Sequence, residues 1–160
     1  MRNATLAALL LAGLAPAAQA AAATLDARAA QAVVAGCASR AAIKSQSHAI
    51  VVVDLGGHVV ASLRMDGNSY GISDFALAKA QAAAAWGFST AQMAESAAAT
   101  PGFGDAPHVV TVAGGLPIFS ADGLERIGAV GVSGEAPADD AACAEAGIKA
   151  AGLRATRLGR

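Results

Sequence analysis

Alanine occupies 46 of the 160 positions and glycine another 18, while aromatic residues make up only 4%. This limits what the chain can build more than any motif does. Small side chains fill a core only where backbones approach closely, so helices must lie tight on one another or on a sheet. The chain is nevertheless 55% hydrophobic and only 14% charged, with a formal net charge of −1. That balance excludes a disordered chain, and the length fits one domain. A soluble monomer so lightly charged would expose much apolar surface, so assembly into a homo-oligomer is expected. The cations show no excess and no clustering, which argues against a nucleic-acid partner.

The N-terminus reads as an address. Met1-Arg2-Asn3 is a short positive start, Leu6 to Leu14 an apolar run, and Ala18-Gln19-Ala20 the small-x-small pattern of a signal-peptidase site. Residues 1–20 are therefore expected to be a signal peptide, and 21–160 a single domain. Read instead as a first helix, the segment would be interrupted by Gly13 and Pro16. Loss of Arg2 leaves ten basic against twelve acidic residues, a charge of −2. No later apolar run reaches the roughly twenty residues of a membrane span, so a periplasmic or secreted protein is expected.

Export changes how Cys37 and Cys143 are read. They lie 106 positions apart, outside any Cys-x-x-Cys pattern, so neither a zinc site nor a redox motif is indicated. In an oxidising compartment two lone cysteines can pair. A bridge closing so long a loop adds about 4–5 kcal/mol in the chain-entropy account. The other reading is two small buried residues on helical stripes.

Hydrophobic periodicity and turn residues give the order of elements. A helix runs from a cap at Thr24 to about Ser45, with Asp26 in its first turn and Leu25, Ala29, Val33 and Cys37 on its buried stripe. His48 to Asp54 and Val59 to Arg64 read as a hairpin about the turn Leu55-Gly56-Gly57-His58. Ser73 or Asp74 opens an alanine-rich helix, Phe75 to Trp86, and Ser89 or Thr90 a short one to about Ala98. After a Pro/Gly loop come three strands, His108–Val112, Leu116–Ser120 and Arg126–Val132. Pro137 or Asp139 begins a last helix with a stripe of Cys143, Gly147, Ala150 and Leu153. Arg154, Arg157 and Arg160 suit its negative end. The expected fold is α+β: a mainly antiparallel five-stranded sheet packed with helices, profilin-like, in the order α-β-β-α-α-β-β-β-α.

Catalytic residues are few. His48, His58 and His108 form no metal-ligand spacing, and neither cysteine has an evident base partner. Gly131-Val132-Ser133-Gly134 lacks the spacing of a nucleophile elbow. No Gly-Lys-Ser/Thr follows the glycine clusters, so they read as turns and close packing rather than phosphate loops. Asp122 and Glu125 sit three apart, but Gly123 argues against the helix an iron site would need. Lys79 is the one charge between Asp74 and Glu95. It either snorkels to solvent or points its ammonium into a pocket.

Five segments together resemble a known group. They are Val53-Asp54-Leu55-Gly56-Gly57-His58, Arg64-Met65-Asp66-Gly67, Ala78-Lys79-Ala80, Ala113-Gly114-Gly115-Leu116-Pro117-Ile118 and Ile127-Gly128-Ala129-Val130-Gly131-Val132-Ser133-Gly134. In this order they resemble the GlcG/HbpS family of haem-binding and haem-degrading proteins, which includes the C-terminal domain of PduO-type proteins. The resemblance spans about residues 24 to 153. It implies an α+β fold, homo-oligomers and secreted members that bind haem. The chain departs from the family's usual form at His108, where apolar residues are commoner, and it lacks a clear acidic iron-binding motif.

The expected function is that of an exported haem-binding protein, acting as carrier, scavenger or sensor. The alternatives are a binder of a small carboxylate metabolite and a haem-degrading enzyme, although no catalytic constellation is evident. Haem needs an apolar slot, an axial ligand and cations for its propionates. His58 and His108 are the candidate axial ligands, and Arg64 and Lys79 the candidate cations. One pocket bounded by His58, Arg64, Lys79 and His108 is expected. The exported protein is expected to start at Ala21. Its intact mass should correspond to residues 21–160, and an uncleaved product retained inside the cell would overturn the assignment.

Overall fold

A computed structural model of the chain describes residues 23–159. The expected signal peptide, residues 1–20, and Arg160 lie outside them. Helix α1, Ala27–Lys44, is capped by Asp26, whose carboxylate accepts the Ala29 N–H at 2.7 Å, and it ends at Ser45 in the left-handed region. Strands β1, Ala49–Val53, and β2, Val59–Arg64, form the expected hairpin. Helix α2 spans Tyr70–Trp86. It starts five residues before the expected Phe75, because Ser69 already takes the extended backbone of an N-cap. Helix α3, Thr90–Ala99, begins with a capping box between Ser89 and Gln92. Strands β3, Gly115–Phe119, and β4, Arg126–Ser133, precede helix α4, Pro137–Ala150, with proline in its first turn.

The sheet is antiparallel throughout, in the order β2-β1-β4-β3. The α+β class stands, but among the described residues the sheet has four strands where five were expected. His108–Val112 is not a strand. Pro107 offers no N–H to a ladder, His108 turns to a φ of 60°, and the Val109 N–H donates back to Ala106 O at 3.2 Å. The segment is spent on a turn.

Helices cover both faces of the sheet. Ala76, Ala80, Ala83 and Ala84 of α2 pack on Ala49, Val51, Val53 and Ala129. On the other face α1 and α4 bring Ala30, Val33, Cys37, Cys143, Ala144 and Ile148 against Ile50, Val52, Val130 and Val132. The small residues act here as expected. A Cβ on Gly131 would overlap the α2 backbone at Ala76 and Ala80, and one on Gly147 would overlap the Val33 carbonyl of α1. At the crossing of α1 and α4, Cys37 and Cys143 are joined by a disulfide, their Cα atoms 4.7 Å apart. Both are also fully buried. The two readings of the cysteines therefore meet in one place.

One polar cluster interrupts this core. Lys79 lies on the buried stripe of α2 and is 1% exposed, so its ammonium points inward rather than snorkelling out. Nζ donates to Asp140 Oδ2 at 2.9 Å and to Val132 O at 3.0 Å, and lies 4.8 Å from the centre of the Phe75 ring. The other carboxylate oxygen of Asp140 pairs with Nδ1 of buried His48 at 3.1 Å and accepts the Glu135 N–H at 3.1 Å. Three residues, from α2, the position before β1 and the start of α4, are thus joined through the Asp140 carboxylate, while His48 Nε2 is buried without a hydrogen-bond partner.

Two outcomes follow from this packing. Replacing Cys37 and Cys143 together by alanine is expected to lower unfolding free energy by about 2–5 kcal/mol in urea titrations, and the wild type should show no thiol to Ellman's reagent before reduction. Lys79→Met strands a buried carboxylate and should cost about 3–5 kcal/mol. Adding Asp140→Leu should cost less than the two single changes summed, by roughly 1–3 kcal/mol of coupling. Additive costs would show that the pair does not act as a unit.

Candidate functional site

The β1–β2 turn, the C-terminal end of α2 and the loop before β3 meet at one end of the molecule. Between them lies a cleft of about 120 Å³ lined by Leu55, Gly56, Gly57, Gln81, Ala84, Ala85 and His108. The α2 residues recur at helical spacing, so one face of the helix forms the back wall. Side chains of α2 hold both flanks. Gln81 Nε2 donates to Gly57 O at 3.1 Å, and Trp86 Nε1 to Pro107 O at 3.1 Å. Trp86 also meets Phe103 edge-on, with ring centres 5.1 Å apart, which fixes the far loop. The left-handed backbone of His108 then presents its imidazole at the cleft.

The opposite flank is an acid-centred turn. Asp54 Oδ1 accepts the N–H groups of Gly56 at 2.8 Å and His58 at 3.0 Å, and lies 3.3 Å from His58 Nδ1. The hydrogen bond from the His58 N–H holds the Asp54 carboxyl below its ordinary value of 3.8, helped by the Gly56 N–H and the nearby imidazole against the effect of desolvation. The sign follows from linkage: the carboxylate supports this turn above its ordinary range and stops doing so as pH falls through the depressed value. The His58 ring folds back over Gly56 toward Asp54, and its side chain is 83% exposed. It stands beside the cleft rather than in it.

The structure brings together two of the four expected residues. His108 lines the cleft, and His58 stands on the turn beside it. Arg64 ends β2, five residues from the turn end of that strand, a distance of roughly 16 Å for an extended chain. Its guanidinium donates to Asn68 O. Lys79 is held by Asp140 in the core and does not line the cleft. The expected four-cornered pocket is therefore replaced by a cleft with two imidazoles nearby and neither of those cations. Among the described residues, no group of three or more His, Cys, Asp or Glu is placed to hold a metal ion.

Residues missed in the sequence reading left some signal. Gln81 is the one polar residue between Lys79 and the run Ala82–Ala85, and Trp86 is the only tryptophan. Asp140 stands three before Cys143 and seven before Gly147, on the buried stripe of α4, where a carboxylate needs a partner. His48 gave no comparable sign, because the first residue of a strand can face either way.

The cleft thus offers an apolar wall with a histidine at its rim. The sheet and its three covering helices match known structures. A double Glu-to-Asp mutant of Streptomyces reticuli HbpS is 26% identical, with a TM-score of 0.73, covering 89% of this chain and 97% of that one. Klebsiella pneumoniae protein ORFY is 26% identical, with a TM-score of 0.74, covering 87% and 97%. The protein of a PduOC–haem complex shares the fold at 23% identity and a TM-score of 0.75, covering 84% of this chain and all of that one. No curated protein matches. Residues 25–149 match the family described as haem degrading protein HbpS-like, and with most of its length matched the chain belongs to that family.

Proposed function

We propose that this chain is an exported haem-binding protein, a carrier, scavenger or sensor, that works as a homo-oligomer. The observation that carries the reading is the cleft itself: Leu55, Ala84 and Ala85 supply an apolar wall, and His108 an imidazole at its edge. Family membership supports haem as the flat ligand, as does the haem complex of a structural relative. Haem, when bound, would supply an iron centre. His108 would be the residue to hold it, with His58 the alternative from the neighbouring turn. The disulfide supports an oxidising compartment, and hence the signal peptide.

The cleft's size supports assembly. At about 120 Å³ it falls short of the roughly 300–1,000 Å³ of enclosing ligand sites. One copy covers only part of a macrocycle, and a second copy would shield the rest from water. Exposed Leu55 and Val59 on the same flank, 50% and 53% accessible, are suited to such a contact.

Titrating the mature protein with haemin should give a saturable Soret shift. His108→Ala should move the Soret position, and His58→Ala should leave it in place. A wild-type spectrum and affinity in both variants would overturn the placement, and no saturable shift in the wild type would overturn the function. Light scattering of the mature protein should give at least twice the mass of one chain at micromolar concentration.

A further inference from the structure

Around the end of α2 from the cleft, two guanidinium groups face a groove in which no carboxylate of the described residues lies in ion-pair range. The ion pairs among the described residues involve His48, His58 and Lys79, and no arginine. Arg126 opens β4 and lays its guanidinium against Gly87, the left-handed residue that closes α2. A Cβ on Gly87 would overlap that guanidinium, so the glycine admits it to this place. Arg157 comes from the segment after α4, and its Nη2 donates to Leu124 O at 3.2 Å. The acids of the intervening turn are engaged elsewhere. Asp122 accepts from the Ser120 hydroxyl and from the Leu124 N–H at 3.1 Å, and Glu125 accepts the Ala23 N–H at 2.8 Å.

The walls between these cations are apolar. Trp86, Gly87 and Phe119 join Arg126 and Arg157 around a hollow of about 380 Å³. A second hollow of about 200 Å³ shares Gly87, Phe119 and Arg157 with it and continues past Phe88 and Pro117 to the polar Gln92 and Thr156. The groove is thus of ligand size. It pairs two planar forks, which suit carboxylate oxygens, with ring-bearing walls that would gain nothing from a fully hydrated anion.

We propose that this groove binds a carboxylate carried on an apolar, ring-bearing body, with Arg126 and Arg157 gripping the carboxylate and Trp86 and Phe119 facing the body. Such a group has two sources: a propionate of haem seated in the neighbouring cleft, or a free acid. The inference stands apart from haem binding, since the free acid needs no haem.

Trp86 is the only tryptophan of the chain, so its emission reports on the groove. Benzoate is the probe, and benzyl alcohol, with the same ring and no charge, the control. Benzoate should change the emission saturably and benzyl alcohol should not. Arg126→Gln and Arg157→Gln, each checked for wild-type circular dichroism and melting, should weaken benzoate by about tenfold or more. Absence of a benzoate response, an equal response to benzyl alcohol, or wild-type benzoate binding in both variants would overturn the site. Haemin and haemin dimethyl ester then separate the sources. If the variants lose affinity for haemin but not for the ester, the carboxylate is a propionate; if haemin is unaffected while benzoate is weakened, it is a free acid. A wild type that binds benzoate and not haemin would sink the proposed function and leave this inference standing.

Discussion

The ion pair between Lys79 and Asp140 is a long-armed contact at the centre of a molecule whose layers lie at close range. Around it, alanine and glycine set the spacing of every layer. At Gly131 the sheet lies so near α2 that no side chain fits between them. Lys79 passes the end of the sheet from the helix on one face to the helix on the other. Burial of both charges costs several kcal/mol for each, and only good geometry with further hydrogen bonds offsets it. The Val132 carbonyl, the Glu135 N–H and His48 supply those bonds. The cluster therefore fixes where the two helices stand relative to each other, which apolar contacts between small side chains specify poorly.

That placement reaches the cleft through α2. The helix is pinned in the core at Lys79, and within its last two turns the same rod presents Gln81, Ala84, Ala85 and Trp86. Gln81 holds the hairpin turn and Trp86 holds the loop that carries His108. A recognition surface assembled from two loops is thus referenced to one rigid element, which preserves its geometry better than loops alone would.

Much of this was legible in the sequence, for identifiable reasons. The hairpin announced itself through Val51-Val52-Val53 and the Gly56-Gly57 turn, because β-branched runs and turn glycines are local signals. The stripes of α1 and α4 placed Cys37 and Cys143 inside, and their pairing followed once the helices crossed. His108–Val112 misled because its β-branched residues resemble a strand, while Pro107 and the left-handed His108 decide otherwise. Of the expected site residues, His108 lines the cleft and His58 stands beside it; Arg64 was expected there as a cation at a strand end, but it lies at the end of β2 away from the turn. The partner of Lys79, 61 positions away, is a fact of tertiary structure that no local pattern contains.

The disulfide and the α1–α4 crossing also order events in time. The first helix of the described residues packs on the last, and its covalent partner lies 106 positions downstream. A chain emerging from its amino end can lay α1 on the hairpin that follows it, but the part of its stripe that faces α4 stays uncovered until nearly all of the described residues have followed. Contacts of such separation in sequence form late, because the intervening loop must close first. This face of the sheet is completed only near the end of synthesis, and until then the α4-facing stripe of α1 is what a chaperone would meet.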